Sequence, residues 1–170
     1  ANSGTAATVT VAATAVSANT TVDKSDIILS LSGSPTLVTS GQVLTLTSGT
    51  IKLNANTLTV GRFSSSNSNA RTIDFGTGKI SLTGNATTIW TNVTSTNLTI
   101  SGTPVVESTY SGSTGTRTIS GPSVSATNET NAITVNITAG SDTVTAANAL
   151  YKNLNFTGFS GTFNASSTYI

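Results

Sequence analysis

Apolar side chains recur along this chain in pairs two residues apart, flanked by Thr, Ser, Asn or Gly. Successive side chains of a β-strand point to opposite faces, so this spacing predicts short, half-buried strands. Seven segments show it: Leu44/Leu46, Ile51/Leu53, Leu58/Val60, Ile73/Phe75, Ile80/Leu82, Leu98/Ile100 and Leu154/Phe156. The pattern predicts an all-β protein with a thin, layered core. The nearest approach to a helical pattern, Ala146 to Tyr151, is too short to predict a stable helix.

The segment from Val43 to Val60 contains three predicted strands separated only by Ser48-Gly49 and Asn54-Ala55-Asn56. Gaps this short suit either hairpin reversals or the corner bends of a β-solenoid, because Gly and Asn tolerate left-handed backbone conformations. Periodicity alone does not choose between them. We expect a parallel β-helix or solenoid-like domain, with an antiparallel β-sandwich as the alternative.

A longer repeat favours the solenoid. Strands of similar sequence are centred near Thr45, Ile73, Thr99, Thr118, Val135 and Asn155, at intervals of roughly 17 to 28 residues, the size of one solenoid coil. The uneven intervals predict loops of different length, and Ser64 to Asn69 is expected to be a polar, flexible, exposed loop. We divide the chain into an N-terminal strand or arm, residues 1–20, and one solenoid-like domain, residues 21–170.

The two ends of the chain differ from the middle. Ala6 to Val16 is uncharged and has only small apolar side chains, so it is expected to cap the sheet or to add as a strand to a neighbouring molecule. The stretch from Tyr151 to Ile170 concentrates five aromatic residues. These rings are expected to cover the end of the core or to form a subunit contact.

The composition argues against two classes of partner, nucleic acids and membranes. Thr, Ser and Asn make up roughly 45% of the residues, charged residues only 8%, and the formal net charge is +1. The seven Lys and Arg residues are scattered singly, without the basic stripe that nucleic-acid binding requires, so no nucleic-acid partner is expected. No apolar run approaches the roughly 18 residues of a membrane span, so no membrane insertion is expected.

Three residue types that the sequence lacks bear on where the protein is found. With no Cys, His or Met, the chain forms no disulfide and offers oxidants little to attack, which favours an extracellular or virion setting. The chain begins at Ala1 instead of Met and has no signal-peptide pattern. We therefore expect it to be processed or to be a fragment.

Candidate catalytic chemistry is sparse. Without His, a Ser or Thr nucleophile would have only Lys, Asp or Glu as its base, and neither a Gly-x-Ser-x-Gly nor a Ser-x-x-Lys motif occurs. A polysaccharide-cleaving enzyme would need paired carboxylates. Asp74 is predicted to face outwards, paired with Arg71 or Lys79. The six acids, of which only the first two are close in sequence, are Asp23, Asp26, Asp74, Glu107, Glu129 and Asp142.

The sequence gives no stronger indication of a metal or phosphate site than of a catalytic site. Asp23-Lys24-Ser25-Asp26 lacks the spacing of a calcium loop, and Gly76-Thr77-Gly78-Lys79 lacks the length and the hydroxyl of a P-loop, so both are expected to be turns. We predict a protein that is not an enzyme, with no catalytic, cofactor-binding or metal-binding residues and no cofactor.

Two further patterns involve Thr and Asn. Thr-x-Thr pairs would order water, as ice-binding proteins do, if they were aligned on one flat face, but the irregular coil intervals argue against alignment. Such pairs include Thr8/Thr10, Thr45/Thr47, Thr57/Thr59, Thr116/Thr118 and Thr143/Thr145. Sequons for N-glycosylation include those that begin at Asn19, Asn85, Asn92 and Asn136, and several are expected by chance in so hydroxyl-rich a chain.

Three stretches, Gly61 to Gly84, Ser108 to Gly121 and Tyr151 to Phe163, resemble a family of repetitive, β-rich structural proteins of marine bacteriophages. The resemblance covers roughly residues 40 to 165. It implies a virion component of the tail-fibre or appendage kind, on the virion surface, that packs with its own copies or with other virion proteins and has a host-surface glycan as a possible partner. It also implies that a removed Met precedes Ala1 and that the chain continues beyond Ile170. The alternative is a subunit of a cellular extracellular filament or adhesin that uses strand addition.

Overall fold

The computed structural model describes residues 6–12, 16–37, 39, 41–122 and 129–169. Its regular elements are strands, and only Glu129 and Thr130 have helical backbone in this part. The strands are β1 (Ala7–Val11), β2 (Thr20–Leu31), β3 (Val43–Lys52), β4 (Thr57–Val60), β5 (Arg62–Ser64), β6 (Arg71–Asp74), β7 (Lys79–Leu82), β8 (Thr88–Thr91), β9 (Leu98–Ser101), β10 (Val105–Ser108), β11 (Thr116–Ser120), β12 (Ile133–Ile137), β13 (Thr143–Asn155) and β14 (Thr162–Tyr169). The prediction of an all-β protein is confirmed.

Every pairing between these strands is parallel, and the pairings form three columns. Column A contains β1, the second part of β2, the second part of β3, β6 and β9. Column B contains the first parts of β2 and β3, then β5, β8, β11, the first part of β13, and β14. Column C contains Thr36, β4, β7, β10, β12 and the second part of β13. The antiparallel alternative is therefore wrong.

The short gaps of the sequence are corners between columns. Strand β3 passes from column B to column A at Gly49, where φ is +91°. At the next corner, Asn54, Gly76 and Gly102 all have positive φ. A Cβ on Gly76 would lie 2.3 Å from the carbonyl oxygen of Asn54, so only Gly lets these corners approach so closely. The gaps at Ser48-Gly49 and Asn54-Ala55-Asn56 are thus bends. The predicted turn is confirmed at Gly76 and Thr77, whereas Lys79 begins β7.

The paired apolar positions form the core. Six of the seven predicted pairs are buried on both members, and the seventh, Leu154/Phe156, is half-buried. Trp90 stacks on Phe63, its neighbour in column B, with ring centroids 4.6 Å apart. The alternation therefore identified inward-facing positions correctly.

The longer repeat was placed incorrectly. Its six strand centres do not form one stack, because they fall in three columns. Ile73 and Thr99 lie on the paired strands β6 and β9 of column A, and Val135 and Asn155 on the paired strands β12 and β13 of column C. Thr45 and Thr118 lie in column B on strands that do not pair with each other. True partners within a column are unequally separated in sequence: Thr143 pairs with Thr162, whereas Trp90 pairs with the more distant Ile119. Each column buries one face and so shows the same alternation, which makes the three columns indistinguishable in sequence.

The two end strands pair within the chain. β1 pairs with β2 of its own chain, from Ala7 opposite Ile27 to Val11 opposite Leu31. At the other end, the ring of Phe156 lies 4.6 Å from that of Phe163 and 6.2 Å from that of Phe159, and all three side chains are half-buried against the core. The segment from Ala146 to Tyr151 belongs to β13 and is extended.

Candidate functional site

Of the two ion pairs found among the described residues, one is buried. Arg117 and Asp142 are both fully enclosed, with Nε to Oδ2 at 2.8 Å and Nη2 to Oδ1 at 2.6 Å. Arg117 also donates to the hydroxyl of Ser108 at 2.6 Å, and the ring of Tyr110 lies 5.2 Å away. Both carboxylate oxygens of Asp142 therefore accept hydrogen bonds from Arg117.

Arg71 is a second buried arginine, with only 2% of its surface exposed, and its contacts include no carboxylate. Its guanidinium donates to the backbone oxygens of Ser65, Asn69, Thr94 and Thr96 and to the Ser65 hydroxyl. Burial lowers the pKa of this guanidinium from its ordinary value. Arg71 thus joins two successive loops of the same corner.

These contacts correct two predictions. Asp74 pairs with neither Arg71 nor Lys79, because its carboxylate accepts from Gly76 N and from the hydroxyl of Ser101, both at 3.1 Å. Lys79 forms its ion pair with Glu107 at 2.8 Å. Within the loop predicted to be exposed, Ser65 is fully buried and donates to the carbonyl oxygen of Leu46.

A signal for the two buried arginines was present in the sequence. Each occurs as Arg-Thr-Ile, at Arg71 to Ile73 and at Arg117 to Ile119, so the Arg shares the strand face of a buried Ile two residues later. Because side chains two residues apart lie on the same face of a strand, the buried Ile73 and Ile119 indicate that Arg71 and Arg117 also face inwards.

The acidic stretch Asp23 to Asp26 lies within β2 and is not the predicted turn. Strand pairing with β3 is irregular there, between Val22 and Ile28, and an open cleft of about 670 Å³ borders it. Ser48 donates to Asp23 at 3.2 Å in this cleft. Across the described residues, no group of three or more acidic, His or Cys side chains is placed to bind a metal ion.

The sequons differ in accessibility. Asn92 is fully buried and its side-chain oxygen accepts from the indole of Trp90 at 3.1 Å, so it is closed to glycosylation in the folded chain. Asn19 and Asn85 are exposed, and Asn136 is half-buried. The residue type alone did not distinguish these positions.

The clearest open feature is the pair of strand edges at the two ends. Among the described strands, β1 pairs only with β2, and β14 pairs only with β13. Val9 lies on the inward face of β1, opposite buried Leu29, yet is 46% exposed because no further described strand covers it. Ala165 of β14 is likewise exposed opposite buried Ala146.

The end near β1 also carries an apolar groove of about 290 Å³. Its apolar lining side chains are Val9, Val22, Ile27, Leu29 and Leu37. The opposite end presents the half-buried cluster of Phe156, Phe159 and Phe163. Both ends thus combine an unpaired strand edge with uncovered apolar surface.

Searches with protein-family models, against curated proteins and against solved structures found no match to this chain. In the described part of the chain, no helix has the length and apolar character needed to span a membrane.

Proposed function

We propose that the three columns wind as a parallel β-solenoid, with each passage through columns B, A and C forming one coil. The support is the order of the strands. From Thr20 to Ser108 the chain visits the three columns in the same order four times, with corner glycines stacked on the preceding corner. Unequal coil lengths are taken up mainly in the corners, and the register shifts only at isolated points in the β2–β3, β8–β11 and β12–β13 pairings.

This solenoid serves as a non-enzymatic structural protein that assembles with its own copies end to end. The observation that carries the proposal is the pair of open edges at β1 and β14. All described strand pairings are parallel. Stacking two molecules head to tail, with the first coil of one on the last coil of the other, continues this parallel pairing across the contact. The buried apolar rows would then continue from one molecule into the next.

The setting we propose is the surface of a bacteriophage virion, as part of a tail fibre or appendage. This setting rests on the sequence resemblance, and the near-neutral, hydroxyl-rich surface is compatible with it. A cellular extracellular filament would use the same end-to-end contact. A low-resolution map of the native particle that locates this chain distinguishes the two, and a map without it contradicts the virion setting.

End-to-end assembly is tested by placing a charge at either end. Val9→Lys blocks the first coil and Ala165→Lys the last, since burying an unpaired ammonium is strongly unfavourable. Each variant alone is expected to be monomeric by light scattering, whereas the unmodified chain forms concentration-dependent oligomers. An equimolar mixture of the two is expected to give dimers and nothing longer, through the one open end left on each partner.

Val93→Lys is the matched control, because Val93 is 40% exposed in a loop away from both ends and this substitution should leave assembly unchanged. An unmodified chain that stays monomeric at all concentrations would contradict the proposal. So would dimers formed by Val9→Lys alone, which would indicate joining through identical ends.

A further inference from the structure

The last three strands of column B align their outward side chains in a regular array. β11, β13 and β14 pair without any register shift over these positions, so Thr116, Thr143 and Thr162 form one row. The second row contains Thr118, Thr145 and Asn164. A third row contains Ser120, Ala147 and Ser166. We call these nine positions the threonine array.

The array faces solvent. The residues between its members point inwards, as Arg117, Val144 and Ala146 show by their complete or nearly complete burial. The array residues are exposed or half-exposed. The hydroxyls of Thr118 and Thr145 at its centre therefore lie on the outward face of the sheet, where water reaches them.

The array is free of charge, unlike the other two columns. The outward rows of column A include Lys52 and Asp74, and those of column C include the ion pair of Lys79 and Glu107. Charged side chains hold their own water shells and would disturb a regular water layer. In the array, each Thr presents one methyl and one hydroxyl, which exclude and anchor water respectively.

The spacing of the array is regular in two directions. Neighbouring parallel strands lie about 4.8 Å apart, and outward residues two positions apart along a strand lie roughly 6.6 Å apart. Both distances lie close to lattice repeats of hexagonal ice. The array is one face of a sheet and has no aromatic side chain, whereas small organic ligands bind in concave, largely apolar sites.

We propose that the threonine array binds ice by holding a layer of water in the positions of an ice crystal face. Unequal intervals in the sequence argued against such alignment. The structure removes that objection, because the longer step from Thr118 to Thr145 and the shorter step from Thr143 to Thr162 leave the strands equally in register. This inference is independent of end-to-end assembly, since the array lies on the outward face of column B within a single chain.

The test is uptake of the protein into a slowly growing ice hemisphere, with the shape of ice crystals near their melting point as a second measurement. The unmodified chain is expected to be enriched in the ice and to produce faceted crystals. Thr118→Lys and Thr145→Lys place a charge at the centre of the array and are expected to reduce uptake to that of a protein excluded from ice. Thr72→Lys is the matched control in column A, where Thr72 pairs with Thr50 and Thr99 and faces outwards, and should retain full uptake.

Thr118→Val keeps the shape of the side chain and its methyl group and replaces the hydroxyl with a second methyl. It therefore tests the role of the hydroxyl without adding charge. It is expected to lower uptake measurably while the melting temperature shifts no more than is usual for a surface substitution. Exclusion of the unmodified chain from ice would overturn the proposal, whatever the variants do. Equal losses for Thr118→Lys and Thr72→Lys would overturn it as well, as would array-dependent binding to an insoluble polysaccharide without uptake into ice.

Discussion

Removing the carboxylate of Asp142 is the sharpest test of the buried core. Asp142→Ala leaves Arg117 charged and fully enclosed, with the hydroxyl of Ser108 and the carbonyl of Ala139 as its remaining acceptors. Breaking one partner of a buried pair costs about 3–5 kcal/mol, because the other charge loses its compensation. For a domain of this size, that corresponds to a fall in melting temperature of about 6–20 °C.

The assay is urea unfolding followed by the fluorescence of Trp90, the only tryptophan, which is buried against Phe63. Glu107→Ala is the matched control, because it breaks an ion pair whose Lys79 side chain is 39% exposed and should cost no more than about 1 kcal/mol. The double variant Arg117→Met/Asp142→Leu should recover much of the loss, since it removes both charges. If Asp142→Ala costs no more than Glu107→Ala, the reasoning about this pair is wrong.

Two other changes test the corners and the core. Gly76→Ala should cost more than Gly115→Ala, by urea unfolding, because both have positive φ but a new Cβ meets the Asn54 oxygen only at Gly76; equal costs would argue against stacked corners. Burial raises the pKa of the Tyr151 phenol, so the folded chain keeps this proton when the unfolded chain loses it above about pH 10. Stability should therefore fall as pH rises past 10, by up to about 1.4 kcal/mol per pH unit for this group, and Tyr151→Phe should remove that share. Identical pH slopes for the two proteins would show that Tyr151 ionises freely.

The sequence predicted the faces of the strands well because alternation depends only on the chain's own geometry. Leu44 and Leu46 share one face of the extended chain, and so do Ile51 and Leu53, so the members of each pair are buried together whichever strands lie beside them. The same rule, applied to charged residues, would have placed Arg71 and Arg117 inside. The hydrogen-bond acceptors that make this burial tolerable are not evident from the local sequence, because they come from distant residues such as Asp142 and Thr96.

The neighbours of each strand could not be obtained in this way. Partners are unequally spaced along the chain, as Thr143 with Thr162 and Trp90 with Ile119 show, and each column repeats the same apolar pattern, so several registers are possible. The corners select one set of strand neighbours, because close backbone contacts such as that of Gly76 with Asn54 form only when those particular corners lie on one another. The six strand centres chosen by similarity therefore fell into three different columns.

The sequence by itself determined the all-β class, the inward positions of each strand and the places at Gly and Asn where the chain changes direction, since these follow from local backbone geometry and side-chain polarity. Only the tertiary structure decided the parallel pairing, the burial of Arg71, Arg117 and Asn92, and the open edges at β1 and β14. It also brought Thr118 beside Thr145, although strand β12 lies between them along the chain. Hydrogen bonding between strands is what sets these neighbours, and it depends on how loops of unequal length close.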